Sequence, residues 1–177
     1  MSTRKRLIHA NALLLEQGIE VLTALSDELF SSGTPAAFNA SVGAHFRHCI
    51  DHYLTLRSGT QSGQINYEQR QRDARLESDR GYAVETACGL RDALAETADS
   101  ELPALQVKLE TCEGPGQDLC WVDTTLEREL DYLINHTVHH YALIAVMLRL
   151  AGHETPKGFG VAPSTLRYLG TDAACAR

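Results

Sequence analysis

The sequence predicts an all-α protein, an antiparallel four-helix bundle with a short β-hairpin inserted before the last helix. Three observations predict it. Apolar residues recur at three-, four- and seven-residue steps through several long segments. Aromatic content is only 6%, with a single tryptophan, which suits helices packed by Leu, Ala and Ile better than an aromatic-rich sandwich. The 177 residues are 44% hydrophobic and 22% charged, enough for one domain with a useful core, and no repeat, low-complexity tract or linker divides residues 1–177.

The first helix is expected over residues 5 to 30, where Leu7, Leu14, Val21, Leu22, Leu25 and Leu29 share a face. Gly33 and Pro35 then break it. "NASVGAHFRHCIDHYLTLRSG" reads as the second helix, with Asn39 or Ser41 as its cap and Gly59 after its end. Val42, Phe46, Cys49, Tyr53 and Leu56 form its apolar stripe, which makes Cys49 a core residue. The polar stretch "GTQSGQINYEQRQRD" is expected to cross the surface. "YAVETACGLRDALAET" suits a third helix. Leu105, Val107 and Leu109 alternate with polar residues before "GPG", the pattern of a hairpin that Trp121 packs onto the bundle. Thr124 with Glu127 fits a capping box for the last helix, and Gly152 marks its end. The tail, with Pro156, Gly158, Gly160 and Pro163, is expected to wrap over the bundle.

Charge and segment lengths narrow the function classes. The net charge of -7 repels phosphate backbones, so no nucleic-acid partner is expected. The one basic concentration, Arg70, Arg72, Arg75 and Arg80, is interrupted by Asp73, Glu77 and Asp79 and reads as a solvated, salt-bridged segment. The N-terminus lacks the apolar run of a signal peptide, and the run Tyr141 to Leu148 is too short to span a bilayer. A soluble, cytoplasmic protein without a membrane partner is expected. Its five cysteines are irregularly spaced without a CxxC, so reduced thiols are expected; Cys112 and Cys120 are the one pair a hairpin would bring face to face.

Six of the eight histidines fall in two short windows. In "LINHTVHHYALIAVML", with His136 at 0° on a helix, His140 falls at about 40° and His139 at about -60°. Leu133, Leu143, Ile144 and Met147 lie between about -20° and 80°, so His136 and His140 sit inside the buried stripe. Imidazoles four residues apart stack on one face and can reach one metal ion. On the second helix, either the pair His45 and His52 or His48 alone can point across the bundle as a third ligand. A lone buried histidine is more often hydrogen-bonded to a carbonyl or carboxylate; two clusters on two helices shift the reading toward metal. The glutamate of H-E-x-x-H is absent, as are a P-loop, G-x-S-x-G and G-x-G-x-x-G, and "GFGVAPS" follows no strand.

At these windows the chain resembles the DinB/YfiT-like superfamily of small metal-binding helical bundles. "SVGAHFRHCID" supplies its S-x-G pattern in Ser41 and Gly43, then His48 with Asp51 three residues on. "NHTVHH" supplies Asn135, His136, His139 and His140 of its last helix. Where relatives often continue Arg-Gly-Gln, this chain has Tyr141, Ala142 and Leu143. The resemblance implies a divalent metal on His48, His136 and His140, with zinc or nickel foremost among zinc, nickel, iron and manganese. It also implies a small-molecule substrate such as a low-molecular-weight thiol, since characterised branches are thiol-dependent S-transferases and an isomerase, and a homodimer.

Three functions follow. The first is a metal-dependent thiol S-transferase or hydrolase, in which the ion lowers the pKa of a bound thiol or water. In it Asp51 or Glu129 orients a ligand N–H, His45, His52 or His139 relays protons, and Arg70 or Arg72 binds a substrate carboxylate. The second is a non-catalytic stress-response or structural module with a closed metal site. The third is a metal-free bundle whose histidines only hydrogen-bond.

Overall fold

The structure, a computed structural model, describes residues 1–109 and 120–170. Among the described residues it holds seven α-helices and three short strands: α1 (Thr3–Ala24), α2 (Asp27–Ser31), α3 (Val42–Ser62), β1 (Gln64–Ile65), α4 (Arg75–Ser78), α5 (Arg80–Glu96), β2 (Leu105–Lys108), β3 (Trp121–Thr124), α6 (Leu126–Leu150) and α7 (Pro163–Tyr168). The fold is mostly helical, as expected, with a small three-stranded sheet where a two-stranded hairpin was expected. β2 and β3 pair antiparallel as the expected hairpin strands, Val107 opposite Val122. β1 adds a parallel edge, Gln64 opposite Gln106, that the polar stretch did not announce. The "GPG" turn and the Cys112–Cys120 pairing fall outside the described residues.

Four long helices carry the core. α1 packs against α5 and α6, and α3 packs against the same two. The expected stripe on α3 is buried throughout: Val42, Phe46, Cys49, Tyr53 and Leu56 are each 2–3% exposed. A buried polar chain fixes α3 against α1 and α6. Asn11 Nδ2 donates to the Leu130 carbonyl, the Tyr53 hydroxyl donates to Asn11 Oδ1 at 2.8 Å, and Thr137 Oγ1 donates to the Tyr53 oxygen. Every member is satisfied, so this network sets the registry of the helices that carry the two histidine windows.

Helix ends differ from expectation for local reasons. The first helix stops at Ala24 because Ser26 takes extended backbone and caps α2 through its Oγ. α3 starts at Ser41, whose Oγ accepts from Ala44 N at 2.9 Å, and runs through Gly59 to end at Gly63, which has φ 82°. Gly43 keeps this helix start close to its neighbours: an added Cβ would collide with the Glu77 carbonyl oxygen and sit 2.9 Å from the Phe30 ring. α6 is capped by Thr125, not Thr124, and the Thr124 hydroxyl is turned to Glu129 instead. Trp121 is 37% exposed beneath Lys108, so it does not pack the hairpin onto the helices. Leu143 is also exposed, which narrows the buried stripe of α6. The tail does turn back, with Phe159 stacked on Tyr141, but contains the short helix α7. The segment Arg75 to Arg80 is salt-bridged as expected, Arg75 to Asp79 and Arg80 to Asp27. No helix among the described residues is long and apolar enough to cross a membrane.

Candidate metal centre

The i, i+4 spacing on α6 and the central position of His48 on α3 bring His48, His136 and His140 together, with one nitrogen of each lying within 4.8 Å of the other two. His48 Nε2 and His136 Nε2 stand 3.1 Å apart. Ligand atoms on a tetrahedral ion with bonds of about 2.0–2.1 Å would be about 3.3–3.4 Å apart, so this pair is already near that spacing. The ring centroids of His48 and His136 lie 4.7 Å or less from that of His140.

Neighbouring groups fix the rings. His45 Nδ1 lies 3.0 Å from His140 Nδ1, which occupies one nitrogen of His140 and leaves its Nε2 for the cluster. His52 Nδ1 lies 2.8 Å from the His48 carbonyl oxygen; a carbonyl only accepts, so Nδ1 carries the proton. His52 Nε2 then accepts from Arg70 Nη1 at 3.4 Å. Tyr132 stacks on His136 and Tyr67 stacks on His52, each ring pair within about 23° of parallel. Among the described residues, His136 Nδ1 is buried without a hydrogen-bond partner.

All five of these imidazoles are held neutral. Burial comes first and neighbouring imidazoles add to it, depressing His48 and His140 to about 3. Burial with the Arg70 charge depresses His136 to about 4, and burial depresses His52 to about 4. His45 is lowered by burial and by His139. Neutral imidazole is the ligand form, so the donor set fits a divalent ion at neutral pH.

The helper residues separate. Glu129 is 2% exposed and, among the described residues, hydrogen-bonds to no histidine: it accepts from the Tyr67 hydroxyl at 2.9 Å and from Thr124 at 2.6 Å, so it reaches the cluster through Tyr67, which packs on His52 and Tyr132. Asp51 turns away from the rings toward Arg47, at 3.7 Å, and burial raises its pKa. His139 is exposed, edge-on to His140. Arg70 is at the cluster, whereas Arg72 is exposed with φ 53° and has no contact with it. Tyr132 and Tyr67 were missed by sequence reasoning. Tyr132 precedes His136 by four residues, a legible signal; Tyr67 lies in an irregular stretch with none. A cavity of about 230 Å³ between α3 and α5, lined by Tyr53, Leu56, Leu90 and Leu94, includes none of the histidines.

Fold and cluster together define a helical protein with a three-imidazole candidate metal site. The chain belongs to the DinB family, whose pattern it matches over residues 1–162. It is also similar to FK506-binding protein 5 of Rhizopus delemar, 30% identical over 105 residues, or 59% of this chain. The match spans 27% of that relative's length. No solved structure matches the chain.

Proposed function

We propose that the protein is a divalent-metal-dependent enzyme that uses a thiol or water as nucleophile, a thiol S-transferase or hydrolase acting on a small molecule. The observation that carries the reading is the convergence of three neutral imidazoles from two helices, with no fourth histidine, cysteine or carboxylate completing the group among the described residues. His48, His136 and His140 would hold the ion, and a divalent ion bound there would supply a nucleophile at neutral pH by lowering the pKa of a thiol or water. Imidazole donors suit zinc and nickel, and iron as well.

The chain's own residues do the rest. His45 holds the His140 ring with one nitrogen turned to the cluster. His52 is anchored at both nitrogens and steadies the His48 turn of α3. Tyr67 and Tyr132 wall one side and keep water from the rings. The pairing of α1 and α3 with α5 and α6 supports reading the four long helices as an antiparallel bundle with the site between α3 and α6.

The test is thiol-dependent turnover. Metal-loaded protein is given an electrophilic small molecule with and without a low-molecular-weight thiol, and consumption of both is followed. Thiol-dependent, chelator-sensitive conjugation or hydrolysis is expected. Stoichiometric metal without any turnover across a panel of electrophiles and esters would leave the binding module as the better description.

A further inference from the structure

We propose that Arg70 makes this site selective for an anionic small molecule, one that presents a carboxylate to the guanidinium while its other end reaches the histidine cluster. The inference rests on the metal reading above and adds the substrate class. Arg70 follows a single 3₁₀ turn, Tyr67–Gln69, that lies over the cluster. Its Nη1 donates to the Tyr67 carbonyl and to His52 Nε2, so one edge of the guanidinium is spent on holding the turn and the ring. The other edge, Nε with Nη2, is the fork that matches a carboxylate. Among the described residues Nε is buried with no hydrogen-bond partner.

The surrounding charges do not neutralise Arg70. Its side chain is only 11% exposed, and Glu68 Oε1 lies 3.9 Å from Nη1 on a side chain that is itself 41% exposed. Asp51 feels the Arg70 charge, but its ion pair, at 3.7 Å, is to Arg47, and Glu129 accepts from Tyr67 and Thr124. The ring that Arg70 contacts, His52, brings no negative charge to it. A largely buried cation beside a cation-binding cluster favours an anion between them. A neutral ligand would leave the fork unpaired.

The experiment uses the full chain loaded with cobalt(II), whose visible spectrum reports both uptake of the ion and thiol binding. Mercaptoacetate and 2-mercaptoethanol are titrated into wild type, Arg70→Gln, Arg70→Lys and, as an exposed control, Arg72→Gln. Mercaptoacetate is expected to bind wild type and R72Q about tenfold or more tightly than 2-mercaptoethanol. R70Q should lose that preference at unchanged cobalt content, and R70K should keep part of it. Equal affinity for the two thiols in wild type would overturn the anion site while leaving the metal reading intact. A preference that survives in R70Q would do the same. Failure of wild type to take up cobalt would overturn the metal reading and the anion site with it. If R70Q does not fold, R70K and the wild-type comparison still decide.

Discussion

His45 Nδ1 lies 3.0 Å from His140 Nδ1, across the groove between α3 and α6. Two unprotonated nitrogens would repel at that distance, so one ring donates and the other accepts. If His140 donates from Nδ1, its Nε2 is a lone pair turned to the cluster, and His45 acts through His140 rather than on a ligand itself. His45→Ala should therefore keep metal stoichiometry but weaken affinity about 10- to 100-fold. Competition against a chromophoric chelator measures it; unchanged affinity would show that His45 does not set the ring.

The depressed imidazoles make the metal-free protein acid-sensitive. His48, His52, His136 and His140 titrate at about 3 to about 4 when folded, against 6.5 when free. Below pH 6.5 the unfolded chain therefore binds more protons, and stability falls as pH drops from 6.5 toward about 4; above 6.5 the effect vanishes. Urea midpoints of the metal-free protein should be flat from pH 7 to 8 and decline from pH 6.5 to 5. The decline should be shallower in a His136→Ala/His140→Ala variant. Identical slopes would mean the rings are not held neutral.

Glu129 is placed to matter for stability and for the turn that carries Arg70. Its carboxylate accepts from Tyr67 and Thr124 in a buried setting. Glu129→Ala leaves both hydroxyls unpaired and should cost about 1–3 kcal/mol. Tyr67→Phe, which removes one of the two donors, should cost less. Chemical denaturation of the three proteins checks the order, and equal stability of E129A and wild type would remove Glu129 from the account.

Cys49 follows His48 in sequence but faces the core, 3% exposed, and burial pushes its thiol well above the usual range. Alkylation of the native protein should modify Cys88 and Cys120 while Cys49 stays unmodified until denaturant is added, as read by peptide mass spectrometry. Rapid modification of Cys49 in the native state would contradict the packing of α3.

These residues also mark what the sequence made legible. Periodicity of 3.6 residues found the four long helices and put Cys49 in the core and His136 and His140 on the inner face, because burial selects one face of a helix. The choice of His48 over the pair His45 and His52 came from family resemblance; the helical angle alone left both open. End positions were less legible, since Thr124 and Thr125 are both able to cap α6 and only the pull of Glu129 on Thr124 separates them. β1 and the placement of Tyr67 depend on pairing with Gln106 and Val107, some forty residues away, for which local pattern carries no signal. Trp121 and Leu143 were misjudged because hydrophobicity alone does not say which side of an element has a neighbour.

The central claim is that His48, His136 and His140 share one divalent ion. Its most direct test is elemental analysis of the protein purified without a histidine tag, beside His136→Ala/His140→Ala, each after reconstitution with zinc or nickel and removal of loose metal. The account predicts about one equivalent in wild type and a trace in the variant. A wild type that stays metal-free, or a variant that keeps the full complement, would contradict it.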